Sequence, residues 1–374
     1  MKLFRNKYKQ LSLYVGLAIA CIASFIFVFH NASFYDRPIA KVIEVEIIDE
    51  MQVTDFRNNK DKLFTQRLVA EMSNGQEKGQ RIELINEYSD SGAYDQKYKV
   101  GHELFVLIDK NISNNQVLTG TIKDVKRDKY LVIITWVFIF TLLIVGKKQG
   151  LYSVVSLIIN AALLSYALDV YVQNSTISLV LICGVTAILF TVISLFLVNG
   201  INEKTYAAII ATMLGTFASL LITYLVIWIA AENGLRYEEM QFISRPYQMV
   251  FMAGLFVGSL GAVMDIAITM SASIFEIYEK NPDVTSKALQ KSGMEIGKDV
   301  MGTMTSILFF VYVSGSLPML ILYLKNAAPL GFTLSMNLSL ELARALAGGI
   351  GIVLTIPIGL YTAIFFVNRK RARL

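Results

Sequence analysis

V-F-M-A-G-L-F-V-G-S-L-G-A-V-M-D-I-A-I-T-M-S-A-S-I-F-E, residues 250–276, decides what kind of molecule this is. The run is long and apolar enough to cross a bilayer as a helix, yet it carries Asp265 well inside. At about 100° per residue, Gly254, Gly258, Gly261, Asp265, Ala272 and Glu276 share a stripe roughly 60° wide. Small residues at that spacing let another helix approach closely, so the stripe reads as a packing seam. A carboxylate in hydrocarbon costs about 2.5–3.5 kcal/mol on insertion scales and normally faces protein or a water-filled cavity. Asp265 is therefore the leading candidate for a membrane-embedded polar site.

Composition agrees. Of 374 residues, 55% are hydrophobic, and the mean hydropathy of +0.53 is too high for an ordinary soluble chain. The excess lies in runs of about 17–27 residues, the length a helix needs to cross ~30 Å of hydrocarbon. The expected fold is a polytopic α-helical membrane protein with about eight transmembrane helices. The net charge of +5 reflects Lys and Arg at membrane edges, so no nucleic-acid partner is expected. Cys21 and Cys183 each lie within an apolar run, where they read as small packing residues.

In chain order, basic residues in 1–10 precede an apolar run from Leu11 to Phe29. It is longer than a signal-peptide core and reads as a retained first span, giving a first segment of residues 1–30. Residues 31–129 are polar, with β-prone segments at Ile39–Ile48, Leu63–Met72, Gln80–Tyr88, Glu103–Ile108 and Leu118–Val125. Turn formers such as Asn74-Gly75 and Ser91-Gly92 separate them. A small β-barrel, OB-like among the options, or a sandwich fits this block. Seven more apolar spans, at about 130–146, 150–171, 177–198, 205–231, 248–274, 304–324 and 345–367, make residues 130–374 a seven-helix membrane domain. With both termini cytoplasmic, the inner loops collect Lys147, Lys148, Lys204, Lys280, Lys287 and the closing Arg369–Arg373 cluster. That orientation puts 31–129 outside, close to the bilayer.

Asn281-Pro282 reads as a helix start, Gly293 as its stop, and Ser292–Glu295 as a capping box for the next helix. Glu295 and Asp299 then lie one turn apart, either compensating that helix's dipole or facing Asp265 and Glu276 across an inner mouth. In the last two spans, Gly315 and Pro318, then Gly348, Gly349, Gly351 and Pro357, read either as helix interruptions of the kind transporters use or as kinks and close packing. Glu341 and Arg344, at i,i+3, are placed to pair.

Gly258-Ser-Leu-Gly-Ala-Val-Met-Asp265, Lys291-Ser-Gly-Met-Glu-Ile-Gly-Lys-Asp-Val-Met-Gly-Thr-Met-Thr305, Ser314-Gly-Ser-Leu-Pro318 and Arg344-Ala-Leu-Ala-Gly-Gly-Ile-Gly351 resemble the YibE/F family of bacterial membrane proteins. The likeness runs from about residue 130 onward, and the first anchor with its polar block resembles the longer, YibE-type member. The resemblance implies a multi-pass protein of the bacterial cell membrane, of Gram-positive type, partnered by a YibF-like protein; a homo-oligomer is the other assembly considered. It implies no substrate or chemistry.

Neither a phosphate-binding Gly-rich loop nor His-Glu-x-x-His nor Gly-x-Ser-x-Gly occurs, and His30 and His102 are too few for a multi-His metal site. No enzyme activity, metal or cofactor is expected from motifs. Three readings remain. The first is a secondary transporter or channel for a small solute or ion, using Asp265, Glu276, Glu295 and Asp299. The second is a non-transporting envelope scaffold that binds through its outer domain. The third is an intramembrane enzyme without a recognised motif.

Overall fold

Five strands carry the polar block: β1 (Ile39–Thr54), β2 (Lys60–Met72), β3 (Arg81–Ser89), β4 (Glu103–Ile108) and β5 (Leu118–Val125). In the computed structural model they close into a barrel in the order β1-β2-β3-β5-β4, which removes the sandwich alternative. The one parallel pair joins β3 to β5, with Leu84 opposite Gly120, and Ala40 opposite Leu104 closes the ring. Alternate residues point inward, as the period of a strand requires. Val42, Leu68, Ala70, Ile82, Leu84 and Leu104 are fully buried there. Beyond Ile48, β1 and β2 continue as a mostly exposed hairpin, so both strands are longer than their inside–outside alternation indicates.

The structure describes residues 2–56, 58–92, 95–109, 118–174, 177–230, 234–240 and 246–373, with side chains for all of these but 2–14 and 239. It forms two compact units, residues 1–141 and 142–374. Unit 1 contains the barrel, helix α1 (Lys2–His30) and the start of α2 (Asp128–Gln173). Charged and amide side chains tie these together. Lys126, with a side chain only 2% exposed, meets Glu103 at 2.9 Å and Asp128 at 3.4 Å, and donates to the Val28 carbonyl. Lys129 takes the other Glu103 oxygen at 2.7 Å. Asn31 and Tyr35 both donate to Asp128. Buried Asn74 donates to the carbonyls of Ala32, Tyr35 and Arg37 and accepts from the Ile39 amide, so it is a structural clamp as well as a turn residue.

Unit 2 is helical. After the middle of α2 come α3 (Leu179–Asn199), α4 (Glu203–Ile229), α5 (Tyr247–Lys280), α6 (Ser286–Lys325) and α7 (Leu330–Arg371). Among the described residues, seven helices are long and apolar enough to cross a membrane. α2 is broken at Lys147 (φ 48°, ψ −118°), which brings Gly150 against the Leu142 carbonyl where no Cβ would fit.

α4, α5 and α7 pack around a small-residue crossing. Val263 of α5 is fully buried between two glycines: a Cβ on Gly215 of α4 would lie 3.3 Å from it, and one on Gly351 of α7 at 2.9 Å. Ser219 donates to the Ala347 carbonyl at 2.7 Å and Thr355 to that of Gly351 at 2.6 Å, so the hydroxyls are satisfied without water.

Two expectations are corrected. α6 runs unbroken from Ser286, so neither Asn281-Pro282 nor Ser292–Glu295 starts a helix, and Gly293 does not stop one. The cap is Thr285, whose hydroxyl accepts from the Ala288 amide. Gly293 and Gly297 are buried because α6 crosses its neighbours there: a Cβ on either would collide with Leu360 and Ile274, or with Ile356. α6 also continues through Pro318, and α7 through Pro357, so neither helix is interrupted.

Gly351→Val should destabilise unit 2 by about 1–3 kcal/mol, the usual cost of overpacking, seen as a lower thermal midpoint in detergent. An unchanged midpoint would remove the Val263 crossing as an organising contact. In the barrel, burial raises the Glu103 carboxyl, but hydrogen bonds and charge from Lys129 and Lys126 outweigh it and hold the group below its ordinary value. Its ionised form therefore adds stability above the ordinary glutamate range, and this is lost as pH falls through the lowered value. Glu103→Gln should lower the midpoint at neutral pH, and the gap from wild type should close on acidification. A gap that stays constant with pH contradicts the charge account.

Candidate functional site

The rotation set by Val263 decides where the α5 stripe points. Phe251, Leu255, Ser259, Val263, Ile266, Met270 and Ile274 are buried against the rest of unit 2. Asp265 follows Val263 by two residues, about 200° round the helix. Gly254, Gly258, Gly261, Asp265 and Glu276 are all exposed. The stripe is therefore not the internal packing seam expected of it. The small residues that permit close approach to α5 belong to α4 and α7, and they meet its other side. A Cβ added to Gly254 or Gly261 would find nothing within 4 Å. Only at Gly258 would an added Cβ meet a neighbour, the Tyr312 hydroxyl of α6.

Asp265 itself has no hydrogen-bond or ion-pair partner among the described residues. Glu276 pairs with Lys280 at 2.7 Å on an exposed turn. Glu295 and Asp299 follow Gly293 and Gly297 by two residues, so they point about 200° away from the α6 face that packs. Both are exposed. The structure thus brings no two of the four acids together, and neither Glu295 nor Asp299 faces Asp265. They also lie beyond the first turn of α6, which removes the dipole-compensation reading. Among the described residues, no group of three or more His, Cys, Asp or Glu is close enough to hold a metal ion.

The remaining small residues divide. Gly348 packs against Leu308, Gly349 against Thr305 and Gly351 against Val263, whereas Gly315 has open space beside it. Pro357 lies within α7 directly after Ile356 and about one turn before Leu360, both of which meet α6. Close packing, not interruption, is what the α7 glycines provide.

Several buried hydroxyl residues of the apolar helices escaped the sequence reading. On α4, Thr212, Thr216, Ser219 and Thr223 are buried. Their spacing of three and four was visible as a signal. Ser194 of α3 accepts from Asn160 at 2.7 Å and joins Ser156 at 2.8 Å. Arg344 donates to Glu341, as their spacing implies, and its guanidinium also lies 5.3 Å from the Phe251 ring centre.

Neither curated proteins nor solved structures yield a match to this chain. The family models do. Residues 134–369 match the YibE/F-like protein family, and residues 33–125 match the YibE/F family N-terminal domain. The two matches cover the helical unit and the barrel in the order they occur, and the chain belongs to the YibE/F family.

Proposed function

We propose that this protein works in the bacterial cell membrane as a subunit of a secondary transporter or channel, with Asp265 at a hydrated seam against a second membrane-embedded chain. In this reading α2, broken at Lys147, crosses twice, for eight crossings in all; the break supports that count. Both termini are then cytoplasmic and the barrel is outside, in keeping with the distribution of Lys and Arg. The barrel's strand order is that of an OB-like Greek key.

One observation carries the reading: a carboxylate midway along α5, exposed and unpartnered among the described residues, on a face bare of side chains at Gly254 and Gly261. Left against lipid it costs about 2.5–3.5 kcal/mol, so water or another protein must meet it. Glycines beside it allow a partner helix to come close without sealing the carboxylate in hydrocarbon. The partner is a YibF-like chain or a second copy. The continuity of α6 and α7 and the dispersal of Glu276, Glu295 and Asp299 favour a second reading, in which Asp265 only specifies assembly and the barrel is an envelope scaffold.

Asp265→Asn keeps shape and hydrogen bonding but removes the charge. It should leave the assembly seen by native mass spectrometry intact and reduce proton or sodium flux in proteoliposomes to background. Asp265→Leu should lose both. Flux equal to wild type in Asp265→Asn would remove transport through this residue, and assembly unaffected by Asp265→Leu would remove the seam.

A further inference from the structure

Away from the Asp265 face, α6, α7 and Met240 line an open pocket of about 350 Å³. It opens where Gly315 leaves space on α6, and Met319 and Met336 supply apolar wall. Its polar side is made by Ser316, Asn337, Glu341 and Arg344. The three α7 residues lie 7 to 14 positions past the start of that helix at Leu330. That is roughly 10–20 Å into the helix at 1.5 Å per residue.

The side chains are partly committed, and what they leave free defines the ligand. Arg344 uses one N–H on Glu341 and rests against Phe251, which holds the fork in place, with its other donors unspent among the described residues. Glu341 has a second carboxylate oxygen without a partner among the described residues. Asn337 gives its amide N–H to the Thr333 carbonyl at 2.9 Å, so its own carbonyl oxygen remains an acceptor. Ser316 can donate or accept. The two charged side chains are only 20% and 26% exposed, yet both line the cavity. An ion pair in such surroundings contributes little stability over an apolar pair of similar size. Its value is better explained by recognition.

We propose that this pocket binds a zwitterionic group, a primary ammonium a few ångströms from an anionic oxygen, carried on an apolar body. The ammonium meets Glu341 and the Asn337 carbonyl, the anion meets Arg344 and Ser316, and the methionines accept the apolar part. The site is neutral overall, so a ligand bearing one charge leaves the opposite side chain unanswered. A volume of this size suits a small solute. A free α-amino acid and the headgroup of an ethanolamine phospholipid share this chemistry. The inference goes beyond the transport reading and uses none of its residues.

The test is binding by the full-length protein in nanodiscs of phosphatidylglycerol alone, read as a thermal shift. L-leucine, 4-methylpentanoate and 3-methylbutan-1-amine present both charges, the anion alone and the ammonium alone. L-leucine should stabilise the protein and the other two should not. A shift produced instead by phosphatidylethanolamine added to the discs, and lost in Glu341→Gln, supports the same site with a lipid as its source. Asn337→Leu and Ser316→Ala suit the apolar surroundings and guard against misfolding of the charge variants. Each should weaken binding by about tenfold, as loss of a ligand hydrogen bond does. The proposal is overturned if the acid or amine alone matches L-leucine, if neither L-leucine nor phosphatidylethanolamine shifts the midpoint, or if the shift survives in both Glu341→Gln and Asn337→Leu. Flux is not measured, so failure here leaves the Asp265 reading untouched, and failure there leaves this one.

Discussion

Val263 seated between Gly215 and Gly351 sets the rotation of α5, and nearly everything said of the helical unit depends on it. Two glycines on neighbouring helices make a notch one side chain wide, and a β-branched residue with a single preferred rotamer fills it. Because side chains on a helix are fixed relative to one another, seating Val263 inward turns Asp265 outward. Among the described residues, no hydrogen bond or ion pair holds the carboxylate there. It is exposed because packing, which is worth more, has claimed the other side of the helix.

Helical periodicity correctly grouped Gly254, Gly258, Gly261 and Asp265 on one face, but a single helix cannot reveal which of its faces is covered. That depends on what the neighbours offer, and the decisive small residues were on α4 and α7. The same gap explains Gly293. Within a local window, a glycine after a short amphipathic stretch resembles a stop. In three dimensions it lies where α6 passes Ile274 and Leu360, and the missing side chain serves tertiary contact. The strands were more legible. β4 and β5 begin and end where alternation put them, because both are short and border the barrel core. β1 outran its reading to Thr54 once it left the core, where both faces are largely exposed and period-2 patterning has no cause.

The first unit follows a different logic. Its core is apolar, but its connection to the ends of α1 and α2 is polar and nearly dry. Water cannot replace the partners of Lys126 without opening the structure, so the cost of removing one member exceeds the modest net worth of the whole. The clamp at Asn74 works alike, spending both its donor and acceptor on backbone groups of the 32–39 segment that no strand pairs. Neither residue stands out in sequence, since a lysine at a membrane edge and an asparagine before glycine both have ordinary explanations there.

α6 borders both polar regions of the helical unit. Tyr312 places its hydroxyl on Gly258, at the upper end of the Asp265 face, and Ser316, one turn further along, lines the pocket with Glu341 and Arg344. The helix is held chiefly on one side, where Leu289, Gly293, Gly297 and Leu308 are its buried residues. All four precede Tyr312, so the half of α6 that touches both regions is the half with least burial. Low local burial is where a fold has freedom to move.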